Sequence, residues 1–274
     1  MNQRFKIEPT KGHQSIFQPG EQGIKWLGLE ILRLEADQDW QGELKDEEAA
    51  LVILGGRCSI NVESEATVEL DNLGARGDIF SGSPFAVYAP RNSKVSVKAN
   101  TKLEMAIAKA PCEVDLKAAL IEPRDVKVVS SGMSNWRRDV RLVIPPGSPM
   151  SQRLIVGETL NPPGNWSGIP PHKHDVVNEV ENFLEEFYLF KAKPADSYGL
   201  QLMYKGEEGQ GHIIGDDDVT VMLQGYHPTV ASPGTTICYL WVLSGEDKAY
   251  NISIDPRFAW VSTAEAVLKE EKLG

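Results

Sequence analysis

The stretch Pro170-Pro171-His172-Lys173-His174-Asp175, followed by a polar loop and then Leu184-Glu185-Glu186-Phe187-Tyr188-Leu189-Phe190, decides how this chain is read. The chain has 5 histidines, and two of them stand here one residue apart. In an extended strand residues i and i+2 point to the same face, so His172 and His174 aim both imidazoles at one point. A third histidine, His227, follows in Gly225-Tyr226-His227-Pro228. Three imidazoles and a carboxylate suit a divalent transition metal, and zinc, manganese, iron and nickel all accept nitrogen and oxygen ligands. The competing reading of the same residues is a histidine-lined pocket without metal. His13 and His212 read as ordinary surface or core histidines.

Outward from this stretch, the chain is a series of short strands divided by Gly, Pro and Asn turns. Leu51-Val52-Ile53-Leu54 runs into Gly55-Gly56 and on to Cys58-Ser59-Ile60-Asn61-Val62, a hairpin signal. Similar runs precede it at Ile24 to Leu34 and follow at Ala66 to Leu70, Phe85 to Tyr88, Lys94 to Lys98 and Leu103 to Ala108. Asp115 to Ile121 reads as a short helix stopped near Pro123, and Leu116 to Arg141 as a polar crossing between two halves. The rhythm resumes at Arg141 to Ile144 and Leu154 to Thr159, then at Tyr198 to Lys205, Val219 to Leu223 and Ile237 to Leu243. Thr263 to Leu273 reads as an amphipathic surface helix. The expected fold is all-β, with two barrel or jelly-roll domains and few short helices. Residues 1–125 would form a barrel without metal, and 126–274 the barrel that carries the site.

Composition narrows the function classes. A chain of 274 residues, 41% hydrophobic and 24% charged, is an ordinary soluble composition with room for a large core. A net charge of -11 argues against nucleic acid and anionic membrane as partners, while leaving a small acidic substrate open. Three scattered cysteines, Cys58, Cys112 and Cys238, form no CxxC pair and read as reduced thiols. Met1 to Lys6 is followed by no apolar signal segment, and no apolar run approaches a membrane span, so a cytoplasmic setting is expected. No phosphate-cradling glycine loop, G-x-S-x-G elbow or cysteine with a neighbouring histidine is present. Open barrel edges are commonly covered by a partner, so a homo-oligomer joins the expectations.

The spacing His-x-His, Glu, strand, distant His resembles the metal signature of the cupin superfamily. Compact versions of that signature would select Glu179. Glu185 is preferred, because it opens the apolar run that marks a rigid strand. On that reading Glu185, Phe187 and Leu189 face the site, Glu186 and Tyr188 face away, and Asp175 to Leu184 is a loop inserted over the mouth.

The runs Gly164-Asn165-Trp166-Ser167, Pro170 to Asp175, Phe183-Leu184-Glu185-Glu186, Gly225 to Pro228 and Tyr239-Leu240 together resemble the 5-deoxy-glucuronate isomerase family of myo-inositol catabolism. That family is similar to the isomerase of 5-keto-4-deoxyuronate. Asn72-Leu73-Gly74-Ala75-Arg76 and Leu154-Ile155-Val156 also fit. The chain departs from the family pattern at Phe187 to Phe190 and at Ile254 to Trp260. The resemblance implies a two-barrel cupin with one metal site, held by His172, His174, Glu185 and His227. It places Gln201 and Tyr204 as substrate-binding candidates. The implied reaction is aldose–ketose isomerisation of 5-deoxy-D-glucuronate to 5-dehydro-2-deoxy-D-gluconate through an enediol. Glu179, Glu181 and Tyr204 are open candidates for proton transfer, and Lys173, Arg153 and Arg141 for holding the substrate carboxylate. A dioxygenase using the same ligands and a non-enzymatic sugar-binding cupin are the alternatives.

Overall fold

The alternation of the first half folds into two facing antiparallel sheets. A computed structural model describes residues 3–271. One sheet runs in the order Ala119–Ile121, Ala86–Ala89, Glu47–Gly55, Leu103–Pro111, Gly28–Leu34 and Gly12–Phe17. Its partner is Asp39–Leu44, Ser93–Ala99, Cys58–Glu63 and Thr67–Leu73. The second half repeats the plan. Its large sheet runs Gln3–Lys6, Asp218–Met222, Glu185–Lys193, Thr236–Ser244, Ile155–Asn161, Arg138–Ile144 and Lys127–Ser131. Facing it are Trp166–Ser167, Thr229–Ala231, Tyr198–Lys205 and Glu208–Gly215, with the pair His172–Lys173 and Ser253–Ile254 alongside. The all-β double sandwich expected from the sequence is the fold.

Several local expectations are corrected. Gln3–Lys6 pairs with Asp218–Met222, with Phe5 opposite Val219, so the first strand belongs to the second sandwich. The expected helix at Asp115 to Ile121 is absent. Ala119–Ile121 is a strand whose Leu120 lies opposite Val87, so sheet pairing overrides a weak helical pattern. The polar crossing contains a hairpin, Lys127–Ser131 with Arg138–Ile144, around a 3-10 turn at Ser134–Trp136. Lys127–Ser131 is an exposed edge strand, which explains its polar sequence. The C-terminal helix is Trp260–Glu271; the expected end at Leu273 lies outside the described residues.

The two large sheets pack against each other, and this joint holds the largest apolar cluster. On Glu47–Gly55, Ala50, Val52 and Leu54 face the joint, while Ala49, Leu51 and Ile53 fill the first sandwich. On Glu185–Lys193, Phe187 and Leu189 face the joint, while Tyr188 and Phe190 point into the second sandwich. Phe17 and Phe187 meet edge to face across it, with ring centroids 5.7 Å apart. Strands buried on both faces read as continuous apolar runs, as these do.

Polar contacts also cross the joint. Glu158, fully buried, accepts from Arg76 Nη1 at 2.8 Å and from Arg141 Nη1 at 3.0 Å. At another edge, Arg33 and Glu104 of the first sandwich meet Lys191 and Asp217 of the second in a linked set of ion pairs. The three cysteines are buried and unpaired.

Candidate metal centre

His172 and His174 flank Lys173, and the alternation between them is as expected. The Lys173 ammonium turns the other way, donating to Asp175 at 2.6 Å and to both Glu181 oxygens at 2.9 and 2.8 Å. Glu181 also accepts the backbone amides of Asp175 and Val176, so its carboxylate closes the loop from inside. The loop base is pinned by Leu184 N–H donating to His174 O at 3.0 Å and by His174 Nδ1 donating to Leu184 O at 2.6 Å. His227 comes from the turn after Asp218–Met222, where Nδ1 donates to Gly225 O at 3.0 Å. Gly225 has φ +80°, and a side chain there would strike Tyr204 O at 2.6 Å, so the turn requires glycine.

These contacts determine what the imidazoles can do. With Nδ1–H spent on a carbonyl, a neutral ring presents a lone pair at Nε2. His174 Nε2 lies 3.2 Å and His227 Nε2 3.0 Å from the same oxygen, Glu186 Oε2. The His227 Nε2 contact lacks hydrogen-bond geometry, so this buried nitrogen has no hydrogen-bond partner among the described residues. Acceptors aimed at one another in a buried place need a cation between them. His174, Glu186 and His227 offer ligand atoms all within 4.8 Å of one another. The His172 ring stands beside them, its centroid 5.0 Å from that of His227 and 6.3 Å from that of His174. The Pro170 backbone works, more weakly than burial, to raise the pKa of that ring. Donor chemistry and the orphaned nitrogen both fit a divalent metal ion at the triad His174, Glu186 and His227.

Electrostatics keep the carboxylate of the cluster ionised and the His172 ring neutral. Burial, reinforced by the neighbouring His227, pushes the His172 ring down to about 3, so it is neutral. Burial works to raise Glu186, yet the imidazoles of His174 and His227 beside it prevail and hold it at about 2, an anion. For His174 burial lowers and Glu186 raises, with the carboxylate prevailing.

Glu185 is not part of the cluster, which corrects the ligand expected from the strand pattern. Its carboxylate reaches across the joint and accepts the backbone amides of Lys25 and Trp26, both at 2.7 Å. The strand does alternate, with the faces opposite to those expected: Glu186, Tyr188 and Phe190 look into the sandwich. Both faces are apolar, so periodicity alone could not choose between them. The tyrosine on the Glu186 face was the available signal, because a buried hydroxyl seeks polar company.

The other candidates are scattered. Glu179 is exposed on the loop. Glu181 is committed to Lys173 and the loop amides. Tyr204 sits on the outer face of Tyr198–Lys205, stacked on Tyr226 and donating to Asp255 Oδ2 at 2.6 Å. Gln201 does point inward, and its Oε1 is a buried acceptor with no partner among the described residues; so is Oγ1 of Thr229, its cross-strand neighbour. Arg141 is bound to Glu158. Arg153 donates to Gly245 O at 3.0 Å and Glu246 O at 2.9 Å. His13 is bonded to Glu30 at 2.8 Å, and His212 is half-buried on Glu208–Gly215.

A cavity of about 110 Å³ opens beside His172 and Glu186. Arg138, Ser167, Tyr188, Tyr239 and Tyr250 line it. Ser167 and Tyr239 belong to runs that carry the family resemblance, whereas no sequence pattern marks Arg138 or Tyr250. Burial pushes the Tyr239 phenol up to about 12, and Tyr188 upward too, so both keep their protons. Larger hollows lie by Arg33 at the joint, about 510 Å³, and by Trp260 on the surface, about 570 Å³. Neither carries the histidines.

Two sandwiches packed sheet to sheet, with a His/Glu cluster inside the second, define a double cupin. The chain belongs to the KduI/IolB family, whose family model matches residues 5–261. It is 34% identical over 258 residues to a 5-deoxy-glucuronate isomerase of Geobacillus kaustophilus, covering 93% of this chain and 92% of that one. It is 28% identical to the Bacillus subtilis protein of the same name, covering 87% and 88%. The crystal structure of an IolB-like protein from Salmonella typhimurium superposes with a TM-score of 0.89 at 26% identity, covering 94% of this chain and 98% of that one. Bacillus subtilis oxalate decarboxylase shares the fold alone, with a TM-score of 0.62 at 10% identity over 92% of this chain and 78% of that one.

Proposed function

We propose that this chain is a metal-dependent isomerase converting 5-deoxy-D-glucuronate to 5-dehydro-2-deoxy-D-gluconate in the cytoplasm, as a step of inositol catabolism. Family membership makes it an enzyme of the isomerase type. The observation that carries the metal dependence is the convergence of two imidazole Nε2 atoms, that of His227 unpartnered, on one buried carboxylate oxygen. The substrate's identity rests on relatives that span nearly the whole chain.

His172, His174, Glu186 and His227 would hold the ion. When bound, a divalent cation supplies stabilisation of the negative charge that develops on the sugar oxygens as a proton leaves carbon. The remaining work falls to the cavity wall. Its protonated tyrosines can donate to sugar oxygens, and Ser167, bonded to Tyr239 OH, keeps that phenol oriented. A cavity this small beside the cluster favours a small-molecule substrate over a polymer.

The test is direct. Metal-loaded protein is incubated with 5-deoxy-D-glucuronate and the aldehyde and ketone signals are followed by NMR. Conversion by the wild type and its loss in His172→Ala are expected. Absence of conversion by metal-replete wild type would refute the reading.

A further inference from the structure

The cavity beside the metal-ligating cluster holds one unmistakable cation, and it is not among those expected from the sequence. Arg138 opens the strand Arg138–Ile144 and lines the same cavity as His172 and Glu186. One nitrogen, Nη1, is fastened from behind by Trp136 O at 3.2 Å and Ile169 O at 3.1 Å. Nε and Nη2 have no hydrogen-bond partner among the described residues, and no carboxylate among them lies within ion-pair distance of the guanidinium. Its electrostatic company is Tyr239 foremost, then the Glu265 carboxylate, then Tyr188 and Tyr250. Arg76, Arg141 and Arg33 are matched differently: Arg76 and Arg141 share Glu158, and Arg33 holds Glu104 and Asp217. A guanidinium fixed by backbone on one nitrogen, with two donors left over in a cavity, is arranged for a planar anion.

We propose that Arg138 is the specificity residue of this site and binds the carboxylate of the sugar acid through Nε and Nη2. The proposal rests on the isomerase reading for the identity of the substrate, but not for the existence of an anion site. Arg138 then fixes one end of the chain-like substrate and the His/Glu cluster fixes the other, which selects acids over neutral sugars of the same length. Lys173, Arg141 and Arg153 do not line this cavity.

The experiment compares wild type with Arg138→Met and Arg138→Lys, each loaded with metal and checked for metal content and melting temperature. With 5-deoxy-D-glucuronate, Arg138→Met is expected to raise KM about 100-fold with a smaller change in kcat. Arg138→Lys should recover only part of this, because an ammonium lacks the planar fork, and added guanidinium should partly restore Arg138→Met. The neutral analogue with CH2OH in place of the carboxylate should be handled alike by wild type and Arg138→Met. Calorimetric titration with D-gluconate, an unreactive acid, gives a readout independent of turnover: binding by wild type and loss in Arg138→Met support the site even if isomerisation fails. Unchanged KM and gluconate affinity in a folded, metal-replete Arg138→Met would overturn it. Equal losses with the acid and the neutral sugar would overturn it as well, by assigning Arg138 to loop support.

Discussion

Glu48 and Glu185 make the same contact in opposite directions across the joint between the sandwiches. Glu48, near the start of Glu47–Gly55, accepts the backbone amides of Gln152, Arg153 and Leu154 at 2.7, 2.7 and 2.9 Å. Glu185, at the start of Glu185–Lys193, accepts those of Lys25 and Trp26. Each carboxylate therefore caps the segment leading into a strand of the other sandwich, Ile155–Asn161 or Gly28–Leu34. The two capped segments touch, with the Arg153 guanidinium 4.5 Å from the Trp26 ring centre. Internal repetition of one sandwich produces this reciprocity.

Removing either carboxylate strands several buried amides. Glu185→Ala and Glu48→Ala are each expected to cost roughly 2–5 kcal/mol, measured as a drop in denaturant midpoint. Metal stoichiometry separates the neighbours on the strand: Glu185→Gln should still bind one equivalent. A stable Glu185→Gln that has lost its metal would return Glu185 to the ligand set.

Glu186 behaves in the opposite way. Glu186→Gln is expected to fold with near-normal stability while losing tight metal binding, with activity down by at least about 100-fold. Chelation and dialysis of wild type should abolish turnover, and re-addition of a divalent ion should restore it. Elemental analysis alongside the rate assay checks both statements.

Glu158 carries the buried charge balance of the joint. Its loss leaves the guanidinium groups of Arg76 and Arg141 facing each other without a counter-charge. Glu158→Ala should therefore cost about 3–5 kcal/mol, read by chemical denaturation.

Acid should loosen the joint through Glu104. Burial works to raise this carboxyl, but Lys191 and Arg33 prevail and hold it below its ordinary value. A carboxyl lowered in the fold adds stability above its unfolded pKa, about 4.3, and the contribution disappears as pH falls through the folded value. The stability gap between wild type and Glu104→Gln should thus be full at pH 6 and close on acidification below about pH 4. A gap that widened on acidification would contradict the assignment.

Much of the site was legible without coordinates. His-x-His on an extended segment after two prolines, with a distant histidine in a Gly/Pro turn, is a local pattern, and local patterns survive folding. The same holds for the direction of Lys173, which follows from the two-residue period of a strand. The expected helix at Asp115 to Ile121 failed because a few apolar residues pair more profitably with Ala86–Ala89 than they could as an isolated turn.

The sequence by itself determined the all-β double sandwich, the three histidines and the half of the chain that holds them, because strand period and turn chemistry are properties of neighbouring residues. Only the tertiary structure decided which of two adjacent glutamates joins those histidines. Glu185 and Glu186 differ solely in which face of one strand they occupy, and both faces are buried, one in the joint and one in the sandwich. The choice was made by what stands opposite: backbone amides of the first sandwich for Glu185, imidazole lone pairs for Glu186. Arg138 was settled in the same way, because an arginine's availability depends on partners brought to it from distant parts of the chain.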